Sequence, residues 1–411
     1  MGARDTCCSI ASPRIALSPE LEGTESMPKH LVLILGAGAA GTAAAQVLKA
    51  SDAVSVELVT RTGELPYNRT LVNKGVAVGI LTAEQATVPA HGAVGDTAEL
   101  VDPASRTVHF ASGNIARCDA LVVATGSTPK NLASVVPGAA EATAAGRLTT
   151  LHSLDDAVRV RSVLARQDAP SRIVIFGAGL VAAETASLLR ERGRHITLVA
   201  RSTEPGATAF GPEIAARLAA AHQEHLATAF GRTATAIEVD SAGLTIALDD
   251  GSRIHADLAI VAHGSTPAAP APWFAGVAVD EHLRTRYPRV YGAGGSAIHT
   301  DAMLGTWRID HWADAVAQGE HAARVLLHDL GFGADPGPYL PRSPYTALIH
   351  GRTVAGVGMT GGYGSARVVA PDPLVVVHKE DDDSIGAVGI DATASVFEWI
   401  PRLHSGARVP G

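Results

Sequence analysis

The residues best placed to do chemistry are glycines. Two glycine-rich turns lie 141 residues apart, each directly after an apolar run. Leu31-Val32-Leu33-Ile34-Leu35 leads into Gly36-x-Gly38-Ala39-Ala40-Gly41, and Ile173-Val174-Ile175-Phe176 leads into Gly177-x-Gly179-Leu180-Val181-Ala182. Each turn then opens a helix rich in small residues. In a strand, turn, helix, strand unit the first glycine permits the tight turn and the second lets backbone approach a pyrophosphate. The small third residue lets the helix pack on its strand, with the positive end of its dipole aimed at the phosphates. Two copies in that context point to one chain that holds two dinucleotides.

The elements that must position these turns follow in order. His30 to Thr60 reads as strand, helix, strand, ending in Thr60-Arg61. A loop carrying Leu65-Pro66-Tyr67-Asn68-Arg69 and Lys74 follows, then a buried strand over 120–124 that exits through Thr125-Gly126-Ser127-Thr128-Pro129. The second unit closes with a similar strand over 258–262 and a similar exit, Gly264-Ser265-Thr266-Pro267, so the two units read as related modules. Val290-Tyr291-Gly292-Ala293-Gly294-Gly295, a helix over about 310–327, a Gly/Pro-rich linker and a last set of alternating strands complete the chain. The fold class expected is α/β: two Rossmann-like dinucleotide-binding domains plus a smaller C-terminal α+β domain. The expected boundaries are a loose N-terminal extension over 1–26, a first domain over 27–149 and 265–333, a second over 150–264, and a C-terminal domain over 334–411.

The chain has 411 residues, 18% of them charged, and a formal net charge of -8. That balance describes a mildly acidic globular protein and excludes a nucleic-acid footprint. No run of about 18 apolar residues suggests a membrane span, and residues 1–25 lack the basic start and apolar stretch of a secretory signal, so the cytoplasm is the expected compartment. The three cysteines, Cys7, Cys8 and Cys118, form no C-x-x-C pair near the first turn, so no dithiol relay is expected. No metal site is expected either.

The ordered landmarks are the Pro66 to Arg69 run with Lys74, the Ala124-Thr125-Gly126 turn, the GAGLVAAE run over 177–184, the segment over 279–285, and Arg308-Ile309-Asp310-His311-Trp312-Ala313-Asp314-Ala315 with Gln318-Gly319. On these the chain resembles the FAD-dependent pyridine nucleotide-disulfide oxidoreductase superfamily, in its ferredoxin/rubredoxin reductase-like branch without a redox-active disulfide. The resemblance implies that the first unit binds FAD and the second NAD(P)H. The C-terminal domain would complete the flavin site and, in many members, a homodimer. It implies that Lys74 and Glu184 form an ion pair beside flavin N5, and that Arg69 contacts the FAD diphosphate. Such a lysine stabilises an electron-rich reduced ring, and the glutamate holds the lysine and borders the nicotinamide. The helix that starts near Asp310 would aim its positive end at flavin N1/O2. Trp312 packs either by the ring or on the buried face of that helix, and His311 is either beside the flavin or a satisfied histidine at the helix start.

Two departures from the family pattern bear on FAD. The third flavin motif usually ends Ala-Gly-Asp, with the acid bonding the ribityl chain, whereas this chain reads Ala293-Gly294-Gly295. The first unit's second strand ends Thr60-Arg61-Thr62 where an acid usually meets the adenosine ribose, with Glu64 as a substitute. A lost charged hydrogen bond costs about 1.5–3 kcal/mol, roughly 10- to 150-fold in affinity. The strand over 195–199 ends in Ala200-Arg201-Ser202, not in the acid that chelates an NAD ribose diol. NADPH is therefore expected over NADH, with Arg201 and Ser202 at the 2′-phosphate, although Arg201 also reads as an ordinary turn residue.

The expected function is FAD-dependent NAD(P)H oxidoreduction, with electrons passed on to a small iron–sulfur protein of ferredoxin or rubredoxin type. One alternative is direct reduction of a quinone or dioxygen at the flavin. The other is a redox-regulated flavin-binding protein of the apoptosis-inducing-factor type.

Overall fold

The computed structural model describes residues 29–61, 65–88, 92–166, 171–301 and 304–406. The expected extension with Cys7 and Cys8, and the substitute acid Glu64, lie outside the described residues.

Runs of β-branched and leucine residues form the centre of two parallel sheets, because strands covered by helices on both faces must be apolar along their whole length. In the first sheet the order is Val290–Gly292, Ala120–Val123, His30–Leu35, Val54–Thr60 and Ala93–Gly95. All four pairings are parallel. The second sheet repeats the plan, with Ala227–Phe230, His195–Ala200, Arg172–Phe176, Leu258–Val261 and Leu148–Thr150. Its pairings are parallel as well. Each unit adds a three-stranded antiparallel sheet, over 98–117 in the first and 234–256 in the second.

The chain leaves the first sheet after Ala120–Val123 and returns to it only at Val290–Gly292, so two connections cross between the units. They run side by side. Ser127–Pro129 pairs antiparallel with Ser265–Pro267, and Thr128 lies opposite Thr266. The repeated Ser-Thr-Pro exits thus become a two-stranded link. A five-stranded antiparallel sheet follows in the order Pro344–Ile349, Arg352–Gly358, Asp383–Ile390, Leu374–Glu380 and Ser365–Pro371, with the short helix Thr393–Phe397 after it.

The helix expected from Asp310 runs over Trp312–Asp329, with His311 as its N-cap. It crosses the helix Ala39–Lys49 closely, because Gly319 has no side chain: a Cβ there would overlap the Ala40 backbone. At that crossing Gly319 packs against Ala40 of the first glycine turn. Cys118 is free and buried at the foot of the strand Ala120–Val123, where burial pushes its thiol up to about 11, a structural rather than reactive cysteine.

Candidate active site

The two glycine turns have the same internal geometry. Gly36 and Gly177 adopt φ of +104° and +118°, and a Cβ on either would overlap a carbonyl oxygen, of Ala124 and Ala262 respectively. Gly41 is equally fixed, because a Cβ there would run into the Gly36 carbonyl. By contrast, nothing lies within 4 Å of a Cβ built on Gly38 or Gly179. Those glycines are also the N-caps of the helices Ala39–Lys49 and Leu180–Glu191, and neither makes a side-chain cap bond. Open space in front of uncapped helix amides is what a pyrophosphate requires, so both cradles fit a dinucleotide. Ala39, Ala40, Leu180 and Val181 form the first turns of those helices.

Each cradle sits beside the end of its second strand. Gly36 N donates to Val59 O at 2.7 Å, next to exposed Arg61, and Gly177 N donates to Val199 O at 2.8 Å, next to Ala200-Arg201-Ser202. Ser202 Oγ donates to Glu204 O at 2.9 Å and accepts from Glu204 N at 3.1 Å. Burial lowers the pKa of His263, and Lys130 and Arg201, both cationic, push it the same way. A small cluster of positive charge therefore flanks Gly264, whose carbonyl accepts from Lys130 N at 3.0 Å.

A charged pair joins the first unit to the helix of the second cradle. Lys74 stands not in an open loop, as expected, but on a wide π-type turn of helix, Val72–Ala77. Its Nζ is 4.0 Å from Glu184 Oε1. Glu184 is buried and also accepts from Asn73 Nδ2 at 2.9 Å and from Leu348 N at 3.0 Å. One carboxylate thus ties the first unit, the second unit and the C-terminal sheet together. His311 is nearby: burial, then the Lys74 charge, lowers its pKa, and its ring centroid is 5.9 Å from that of Tyr345. Trp312 is half-buried at the first position of its helix.

Arg69 sits in a polar cluster that sequence reasoning did not assemble. Its Nη1 donates to Ser127 Oγ at 3.1 Å, its Nη2 meets His152 Nδ1 at 3.2 Å, and Asp310 Oδ1 is 3.9 Å away. Asp310 Oδ2 accepts from Ser127 Oγ at 2.7 Å and from Ser265 Oγ, and pairs with Arg308 Nη2 at 3.0 Å. Burial pushes the Asp310 carboxyl up, but the two serine hydroxyls and the Arg308 and Arg69 guanidiniums outweigh it and hold the pKa below the ordinary carboxylate value. His152 is pushed down to about 4, first by burial and then by Arg69. The signal for this cluster was the repeated Ser-Thr-Pro exit: its two serines share one acid.

Behind the third glycine motif, Gly294 N donates to Gln318 Oε1 at 2.7 Å, and Gln318 Nε2 donates to Asp314 Oδ2 at 2.5 Å. Tyr339 Oη donates to Asp314 Oδ1 at 2.7 Å. Gly294 takes φ +71°, and Gly295 follows in ordinary backbone. At the first unit's exit, Thr125 Oγ1 donates to Ala268 O, and Gly126 turns the chain at φ +76°.

Residues 30–319, most of the chain, match the family described as pyridine nucleotide-disulphide oxidoreductase. The chain belongs to this family. It is an FAD-dependent oxidoreductase with a nicotinamide dinucleotide as its second cofactor. The oxidoreductase is 27% identical over 394 residues to the ferredoxin–NAD(+) reductase component of the biphenyl dioxygenase system of Paraburkholderia xenovorans (strain LB400), covering 90% of this chain and 92% of that one. Its fold superposes on putidaredoxin reductase in the covalent complex with putidaredoxin at a TM-score of 0.79 and 22% identity, over 91% of this chain and 93% of the other. An engineered water-forming NADPH oxidase bound to NADPH superposes at 0.73 with 19% identity, over 90% of each chain. Among the described residues, no group of three potential ligands could hold a metal, and no helix is long and apolar enough to cross a membrane.

Proposed function

We propose that this oxidoreductase takes reducing equivalents from NADPH through FAD and delivers them singly to a small iron–sulfur protein of ferredoxin or rubredoxin type. The observation that carries it is the Lys74 and Glu184 pair, which joins two units that each hold an open glycine cradle. FAD, when bound, supplies the conversion between a two-electron donor and one-electron acceptors. The chain's own residues position and tune it. Residues 27–149 with 265–333 form the FAD unit in this reading, 150–264 the nucleotide unit and 334–411 the C-terminal domain. Gly36, Gly38, Ala39, Ala40 and Gly41 cradle the FAD pyrophosphate, with Arg61 beside its adenosine, and Gly177, Gly179, Leu180 and Val181 cradle that of NADPH. Lys74 places a positive charge near the flavin, and Glu184 keeps that charge in place through a contact anchored on Asn73 and Leu348. Thr125, Gly126, Gly264, Gly294 and Gly295 bring backbone close to the cofactors, and the helix that starts at His311 and Trp312 directs its positive end at them.

The preference for NADPH has support of its own. Four of the five changes in the engineered oxidase bound to NADPH are a glycine-to-alanine change and, eighteen positions further on, three consecutive changes that write Ala-Arg-Ser. This chain has Ala182 and, eighteen positions further on, Ala200-Arg201-Ser202. A guanidinium at that strand end, in a turn that the Ser202 hydroxyl braces, suits a 2′-phosphate, and the strand does not end in the acid that chelates a ribose diol. The relative named above is a ferredoxin–NAD(+) reductase, so the two donors must be compared directly.

The test is an anaerobic titration of the FAD-loaded protein with NADPH and, separately, NADH, followed by a screen of ferredoxin-type acceptors and small quinones. Bleaching of the flavin bands at low NADPH excess, with NADH weaker and a ferredoxin-type protein reoxidising the flavin, is the expected result. Faster bleaching by NADH would reverse the donor assignment. Turnover with quinone or dioxygen alone would replace the protein acceptor.

A further inference from the structure

The turn Ala293-Gly294-Gly295 lacks a side chain where an acid is expected, yet the space beside Gly295 is filled. A Cβ built on Gly295 would lie 2.5 Å from Asp310 Oδ1 and 3.4 Å from Ser127 Cβ. The carboxylate of Asp310 therefore stands where a side chain at position 295 would begin. Its orientation is fixed on one side only. Oδ2 accepts from Ser127 and Ser265 and pairs with Arg308, while Arg308 Nε donates to the Gly295 carbonyl at 2.7 Å, so Arg308 ties turn and acid into one unit. Oδ1 faces Gly295 and, among the described residues, has its Arg69 partner at 3.9 Å, beyond hydrogen-bond reach. That oxygen keeps the capacity to accept from a hydroxyl.

We propose that Asp310, the residue before the helix cap, serves as the acid that the flavin-binding turn lacks at position 295, and that its Oδ1 accepts a hydrogen bond from a ribityl hydroxyl of FAD. This rests on reading the first cradle as the FAD site. With Asp310 in this orientation, an aspartate at position 295 would put two carboxylates in one volume. Gly295 has no positive φ, so its backbone would accept an aspartate without strain, and it is Asp310 that makes one unwelcome. Asp310 also grips one serine from each strand of the two-stranded link, so the same carboxylate joins the flavin turn to the connection between the two nucleotide units.

The experiment moves the acid to position 295. The full chain is stripped of flavin, and FAD affinity is measured by flavin fluorescence for wild type, Asp310→Asn, Asp310→Ala, Gly295→Asp, and Gly295→Asp combined with Asp310→Ala. Asp310→Asn and Asp310→Ala should weaken FAD roughly ten- to a hundredfold, the scale of one charged hydrogen bond. Gly295→Asp alone should also weaken it, whereas the double variant should recover most of the lost affinity. Thermal midpoints of the apoproteins separate this from a merely structural role: a loss of stability without a loss of FAD affinity, no recovery in the double variant, or tighter binding by Gly295→Asp alone would each overturn the proposal. Should Asp310→Ala not fold, Asp310→Asn, nearly the same shape, carries the same comparison with and without Gly295→Asp. Wild-type apoprotein that takes up no FAD would instead overturn the FAD reading of the first cradle.

Discussion

Lys74 Nζ and Glu184 Oε1 stand 4.0 Å apart although they come from different nucleotide units, and the glutamate is the more tightly held of the two, with side-chain exposures of 34% for the lysine and 8% for the glutamate. The ammonium can therefore respond to charge beside it while its partner stays fixed. Replacing Lys74 by Ala should slow flavin reduction by NADPH on the order of 10- to 100-fold, the scale of one electrostatic donor at a developing charge, and change FAD affinity by less than about threefold. Anaerobic rapid mixing at saturating NADPH measures the first quantity and flavin fluorescence the second. Equal losses in both would mean that Lys74 holds the cofactor rather than tunes it.

Glu184 makes a second, structural contribution. It accepts from the buried Asn73 Nδ2, which would otherwise lack an acceptor, and from Leu348 N on the exposed edge strand Pro344–Ile349. Glu184→Ala should cost about 1–3 kcal/mol, the scale of one unsatisfied donor in the interior. Glu184→Gln keeps an amide oxygen for one of them and should cost about half as much. Denaturant midpoints of the two variants check the order. If both match wild type, the contact with Leu348 does not anchor the C-terminal sheet to the second unit.

The parts legible in the sequence were those whose signal is local. Gly36, Gly41 and Gly177 sit where only glycine avoids a carbonyl, so the turn pattern declared itself. The apolar strands over 31–35 and 173–176 declared themselves in the same way, because parallel strands buried on both faces carry no polar residues. Lys74 and Glu184 were reached through resemblance, and nothing in their spacing could have paired them. The Asp310 cluster escaped because it is non-local: Ser127 and Ser265 meet at a single carboxylate only after two connections pair antiparallel. Asn73 was missed for the same reason, since an amide beside a lysine acquires meaning only when the helix Leu180–Glu191 approaches it. The wide turn at Val72–Ala77 and the late helix start at Trp312 are matters of phase that residue preferences do not fix.

Arg201 is exposed, so its replacement should act on nucleotide choice and not on folding. Arg201→Ala should raise the KM for NADPH roughly 10- to 100-fold, the loss of a charge-assisted bond to phosphate, and leave NADH nearly unchanged. Initial rates at several concentrations of each donor, with an artificial acceptor, make the comparison. A parallel loss with both donors would place Arg201 at the shared pyrophosphate instead of the 2′-phosphate.

Asp314 should tie stability to pH. Its carboxyl is buried beneath the third glycine motif, and burial pushes it up to about 6 despite the hydrogen bonds from Tyr339 and Gln318. In the unfolded chain it titrates near its usual value, about 3.9. Between those values the folded state binds the extra proton, so this group's stabilising contribution is full below about pH 4 and is lost as pH rises through about 6. The loss amounts to as much as about 3 kcal/mol. His152, His222 and His350, pushed down to about 4 chiefly by burial, act with the opposite sign, because each is neutral in the folded state and charged in the unfolded one below about pH 6.5. The wild-type profile alone therefore mixes the two, and the Asp314 contribution must be read as a difference. Asp314→Asn cannot titrate but can still accept from Gln318, so wild type minus variant should fall by as much as about 3 kcal/mol from pH 4 to 7. Denaturant unfolding of both proteins at half-unit pH steps gives that difference, and a flat line would mean that Asp314 is ionised throughout and that its donors, Tyr339, Gln318 and Ser343, outweigh its burial.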